Sequence, residues 1–105
     1  MESNSKIVAL VGLPGSGKST VGRHLSKRWG IPFIDSDHEI EARTGGPVRD
    51  FFAAHGEAAF RDLEQAVIAQ LCADNGQARI LATGGGAVLR EANRQVLHQH
   101  CHVFY

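Results

Sequence analysis

Lys6-Ile-Val-Ala-Leu-Val-Gly-Leu-Pro-Gly-Ser-Gly-Lys-Ser-Thr20 decides how this chain folds. From Gly12 onward it fits G-x-x-x-x-G-K-[ST], the P-loop pattern, with Gly12, Gly17, Lys18 and Ser19 at the fixed positions. Glycines let the backbone close into a tight concave turn whose N–H groups point at phosphate oxygens. A helix starting near Lys18 adds its positive N-terminal end. Lys18 supplies a mobile cation, and the Ser19 hydroxyl can ligate Mg²⁺. The flanks agree with the motif. Lys6–Val11 is a short apolar run that ends at the loop, and Val21, Leu25 and Trp29 recur at four-residue spacing, as on one face of a helix. Strand, loop and helix in that order predict a nucleoside triphosphate site; the competing reading is a glycine-rich turn in an unrelated α/β unit.

The chain has 105 residues, enough for one small domain with one core. Eleven basic and eleven acidic side chains cancel, so charge gives no reason to expect nucleic acid or an anionic membrane as partner. No apolar run approaches bilayer length. Met1-Glu-Ser-Asn-Ser5 lacks the basic stretch and apolar segment of a secretory signal. These features point to a cytoplasmic protein. Cys72 and Cys101 sit in unrelated segments at a spacing that suits no zinc module, and buried free thiols are expected rather than a disulfide.

Further along, Gly30 suits a left-handed helix stop and Pro32 forbids continuation, so the first helix is expected over 18–29. Phe33-Ile34 reads as a second strand delivering Asp35-Ser36-Asp37 at its end. Asp37 or Ser36 can cap a helix to about Arg43, closed by Gly45-Gly46. Pro47 opens a short helix ending at Gly56. A longer helix follows over 57–73, with Phe60, Leu63, Val67 and Leu71 as its buried stripe. Arg79–Thr83 reads as a third strand leading into Gly84-Gly85-Gly86. A helix over 91–100 and a strand starting at His102 complete the chain. Alternating strands and helices predict a parallel sheet with helices on both faces.

Chemistry gathers at the strand ends, where parallel sheets bind ligands. Asp35 and Asp37 could face one side if extended, one holding water on Mg²⁺ and the other meeting a substrate hydroxyl; equally, Asp37 could be only a cap. Arg61 and Glu64 are helical neighbours, and their spacing alone favours an exposed ion pair over an anion clamp. Three successive glycines cost chain entropy, which favours close approach of the backbone to a ligand over a mere flexible turn. Phe51 and Phe52 read as core residues, with one ring available to a pocket. His98, His100 and His102 straddle a helix end and a strand start, which disfavours a shared metal.

Taken together, Gly12–Thr20, Phe33-Ile-Asp-Ser-Asp37 with Ile40-Glu41, Arg43-Thr-Gly45, Phe52, Gly56-Glu57, Phe60-Arg61, Glu64 and Thr83-Gly-Gly-Gly-Ala87 resemble the shikimate kinase family. The order and spacing of four separate motifs are far more specific than any one of them. The resemblance implies an α/β fold of the P-loop NTPase type, nucleoside monophosphate kinase-like, and a single kinase domain over 1–105. It implies phosphorylation of the shikimate 3-hydroxyl by ATP with Mg²⁺, a step towards aromatic amino acids, by an enzyme that is a monomer when complete.

By position, the resemblance implies that Gly15, Ser16, Gly17, Lys18, Ser19 and Thr20 hold the ATP phosphates and that Ser19 and Asp35 serve the metal. It makes Lys18 and Asp37 the expected catalytic residues. It implies that Asp37, Arg61, Gly84, Gly85 and Gly86 bind the substrate, with Glu64 beside Arg61. The resemblance further implies a fifth strand and an arginine-bearing lid beyond Tyr105, so the chain reads as truncated before the fifth strand. Marginal stability of the isolated chain is expected on that account. The alternatives are a non-catalytic nucleotide- or shikimate-binding remnant and a related small-molecule kinase, such as one for gluconate.

Overall fold

A computed structural model describes residues 7–11, 17–73, 77–84 and 86–104, with 17–19 described by their backbone alone. Apolar Ile7–Leu10 forms β1. Helix α1 (Gly17–Trp29) then leads to β2 (Phe33–Asp35), α2 (Ser36–Thr44) and α3 (Val48–Leu71). Strand β3 (Arg79–Ala82) passes through a 3₁₀ turn at Ala87–Leu89 into α4 (Glu91–His100) and β4 (Cys101–Phe104). The four strands are parallel in the order β2-β3-β1-β4. Chain direction therefore diverges at the β1–β3 boundary: α1 carries the chain from β1 to one edge, and α4 carries it from β3 to the other. In open parallel sheets ligands bind at such a divergence, beyond the carboxyl ends of the two strands, which here are β1 and β3. Thr83 N–H donates to Leu10 C=O across this boundary at 3.1 Å.

The main core lies on one face of the sheet. Ile7, Ala9, Val11 and Leu81 meet Ile68 and Cys72 at the end of α3 and Leu97 of α4. A satellite core joins α2 to α3 through Ile40, Phe60 and Val67, with Phe51, Phe52 and Leu63 at its margin. The opposite face receives α1. The Val21–Leu25–Trp29 stripe that marks this helix in the sequence is not its main buried contact, since Val21 and Trp29 are each about half exposed. Instead the helix approaches through Gly22: a methyl group there would fall 2.2 Å from Phe33 Cε1, so the missing side chain sets the distance between α1 and β2.

Helix ends follow the expected punctuation with one correction. Gly56 has φ 86° and ψ 171°, a conformation open to glycine, and it breaks α3 at the residue where the sequence ends its short helix. The cap of α2 is neither Ser36 nor Asp37. It is Asp35, in extended conformation, whose Oδ1 accepts from Asp37 N–H at 2.9 Å and His38 N–H at 3.4 Å. The last residue of the strand thus becomes the cap of the helix, because the chain turns directly from β2 into α2 with no loop between them. Buried Arg79 closes the other end of α3, donating to the C=O groups of Leu71, Ala73 and Gln77. Among the described residues no three potential metal ligands of the His, Cys, Asp or Glu type gather, and no helix is long and apolar enough to cross a membrane.

Candidate active site

Three elements converge on the glycine turn after β3. Asp37, in the first turn of α2, leans over Gly84 so closely that a methyl group there would meet Asp37 Oδ1 at 2.8 Å. Arg61 of α3 lies over Gly86, where a methyl group would fall 2.4 Å from its Nη2. A carboxylate and a guanidinium therefore each lie against a bare glycine of this turn, and side chains at Gly84 and Gly86 would displace them. The turn is held from behind: Ala87 N–H donates to Gly84 C=O and Leu89 N–H to Gly86 C=O. Asn93 Nδ2 donates to Ala87 C=O at 3.0 Å and Arg94 Nη1 to Val88 C=O.

Arg61 is not the exposed partner its spacing favours. Its side chain is 17% exposed and Glu64 only 1%, and Nη1 donates to Glu64 Oε1 at 2.9 Å. Nε faces Glu57 at 3.5 Å. The guanidinium carbon lies 5.2 Å from the Phe60 ring centre and 5.9 Å from that of Phe52. These contacts fix the guanidinium plane, and among the described residues Nη2 makes no hydrogen bond, so that edge of the planar fork is available to an anion. Phe52 packs on the satellite core, as expected, with its ring beside the Arg61 guanidinium.

Burial pushes the Glu64 carboxyl above its ordinary value of 4.5, with the Asp37 charge adding to the rise; the hydrogen bond and charge of Arg61, and then the charge of Arg90, oppose it. A carboxyl raised in the folded state makes the native chain bind more protons than the unfolded one between the two values. Stability is then lost as pH rises through that window. Glu64→Gln removes this titration. The melting temperature of the variant is expected to gain on the wild type as pH rises from 4.5 towards neutrality. A gap that stays flat or closes would contradict the assignment.

Of the other expected site residues, Gly15, Ser16 and Gly85 lie outside the described residues. Gly17, Lys18, Ser19 and exposed Thr20 form the first turn of α1. Asp35 stands at the carboxyl end of β2, its Oδ1 committed to the α2 cap. Ser36 Oγ and Thr83 Oγ1, at the ends of β2 and β3, are buried without a hydrogen-bond partner among the described residues. Asn93 is absent from the sequence reading; its signal is a polar residue four positions before Leu97, on the buried face of α4.

A family model for shikimate kinase matches residues 14–105. A shikimate kinase of Paracidovorax citrulli is 59% identical over 98 residues, covering 93% of this chain and 54% of that protein. One from Pseudomonas fluorescens is 56% identical over 96 residues, covering 91% and 55%. Among solved structures, shikimate kinase from Acinetobacter baumannii in complex with shikimate superposes with a TM-score of 0.88 at 44% identity, covering 96% of this chain and 55% of that one. The enzyme of Aquifex aeolicus gives 0.83 at 35% identity, covering 92% and 56%. The chain spans about half the length of the relatives it matches. With the P-loop sequence, the β2-β3-β1-β4 sheet and the Asp37–Arg61–glycine arrangement all in agreement, the chain belongs to the shikimate kinase family.

Proposed function

We propose that this chain supplies the phosphate cradle and much of the acceptor pocket for transfer of the ATP γ-phosphoryl group to the 3-hydroxyl of shikimate. The observation that carries the reading is the convergence of Asp37 and Arg61 on the Gly84–Gly86 backbone, beside the divergence at the ends of β1 and β3. Shikimate presents a carboxylate and ring hydroxyls. The free edge of Arg61 suits the carboxylate, and Asp37 suits a hydroxyl, orienting it and accepting its proton as the O–P bond forms. Glycine N–H groups at Gly84, Gly85 and Gly86 contact the ring substituents.

Gly15 to Thr20 wrap the ATP phosphates, with Lys18 neutralising charge that develops on the transferred group. Ser19 and Asp35 offer the hard oxygen donors that Mg²⁺ prefers. The cap on Asp35 uses one carboxylate oxygen and so fixes the direction of the other, and the unpartnered hydroxyls of Ser36 and Thr83 are suited to a hydrated ion or phosphate. When bound, Mg²⁺ would offset phosphate charge. The net neutral chain and its small polar substrates fit a reaction in the cytoplasm.

Calorimetric titration tests the reading. Shikimate is expected to bind the chain saturably while gluconate gives no saturable signal, and release of ADP on adding MgATP with shikimate reports the transfer. Absence of shikimate binding, or a preference for gluconate, overturns it.

A further inference from the structure

Cys72 and Cys101 take no part in the proposed chemistry, yet the fold brings them together from two distant places. Cys72 follows the last residue of α3, and Cys101 opens β4 opposite Ile7 of β1. Both are buried free thiols in the main core, and their sulfurs lie 3.6 Å apart. Two thiols in an apolar core are ordinarily inert, because burial disfavours the thiolate that reacts. Here the hydrogen bond between the two sulfurs opposes that penalty, and Arg79 adds to the opposition. The Arg79 guanidinium bonds the C=O groups of Leu71 and Ala73, which flank Cys72, and so sets a fixed positive charge beside the pair. The Cys72 thiol is held below its ordinary value by the hydrogen bond with Cys101; burial opposes this, and the Arg79 charge is a smaller contribution in the lowering direction. Cys101 is displaced upward by the same hydrogen bond and by burial. One sulfur is thus favoured as nucleophile and the other as its protonated partner.

We propose that Cys72 and Cys101 are a redox modification site, a dithiol that hydrogen peroxide closes reversibly into an intramolecular disulfide. Cys72 thiolate attacks one peroxide oxygen and breaks the O–O bond, giving a sulfenic acid and, after protonation, water. The Cys101 sulfur then attacks the sulfenic sulfur, forming the S–S bond and releasing a second water. Two thiols lose two electrons and two protons, and one peroxide becomes two waters. The sulfurs must close by only about 1.5 Å to reach a disulfide bond length, a distance within reach of side-chain rotation. The bond would staple the end of α3 to β4, across 29 residues of chain.

The test uses the reduced chain, freed of reductant and exposed to hydrogen peroxide without denaturant, then quenched by alkylation. A product lighter by two hydrogens is expected, carrying no alkyl label, with a joined Cys72–Cys101 peptide that dithiothreitol separates. The oxidised chain is expected to melt about 10 °C higher, since a loop of this length is constrained in the unfolded state. Cys101→Ser is expected to stop at a Cys72 sulfenic acid, trapped by dimedone. The proposal is overturned by thiols that stay reduced when free cysteine oxidises. Sulfinic acids without a linked peptide, disulfides only between chains, or a linked chain that melts below the reduced one would overturn it equally. None of these readouts depends on kinase activity.

Discussion

Arg61→Leu is expected to weaken shikimate binding at least tenfold and to lower the melting temperature by about 10 °C or more. The two effects have different origins. Binding falls because a charge-assisted hydrogen bond to a carboxylate contributes about 1.5–3 kcal/mol, which is roughly ten- to a hundredfold in affinity. Stability falls because Glu64, 1% exposed, loses the cation at 2.9 Å that compensates its burial. Breaking one partner of a buried pair costs about 3–5 kcal/mol. Burial already raises the Glu64 carboxyl, and loss of Arg61 removes the main opposing interactions, so proton uptake limits the cost to the lower end of that range. In a chain of this size each kcal/mol moves the melting point by about 4–8 °C. The double variant Arg61→Leu/Glu64→Leu separates the effects: it removes the stranded carboxyl and should recover most of the stability while shikimate binding stays lost. Recovery of both together would show that Arg61 acts only by packing.

Ile40→Ala is expected to be similarly costly, by a route that begins in the core. Ile40 is fully buried in the satellite core against Phe60 and Val67. Deleting most of such a side chain costs about 2–5 kcal/mol, from lost burial and from the cavity left behind. The melting point is expected to fall by about 10–20 °C. Ile40→Val should cost only about 1 kcal/mol. Asp37 sits one turn before Ile40 on α2 and leans over Gly84, so the cavity loosens the element that aims the carboxylate. Shikimate affinity of the folded variant should therefore drop more than affinity for MgADP. An equal drop in both would place the effect on the whole sheet rather than on α2.

Sequence reading reached the elements wherever a local rule decides them. Gly56 marks the break in α3 because only glycine reaches φ 86° there without strain, and that requirement belongs to one residue. The run from Glu91 to His100 gives α4 for the same kind of reason, its period set by neighbours within one turn. The α2 cap was misread because Asp35, Ser36 and Asp37 are all competent caps; only the path of the chain out of β2 shows which of them is extended. The Val21–Leu25–Trp29 stripe located α1 but not its contact, because the closest approach is made by a residue with no side chain to read.

The sequence by itself determined the phosphate motif, the strand–helix alternation and the family, since each is written in residue types at fixed short spacings. Only the tertiary structure decided what Arg61 and Glu64 are. At three residues apart they look the same whether exposed to water or buried, and a surface pair contributes little. Burial against Phe52 and Phe60 turns that pair into a fixed, water-shielded ion pair, and the crossing of α3 with β4 turns two unrelated cysteines into a dithiol. Both depend on distances between segments far apart in the chain, which residue spacing does not encode.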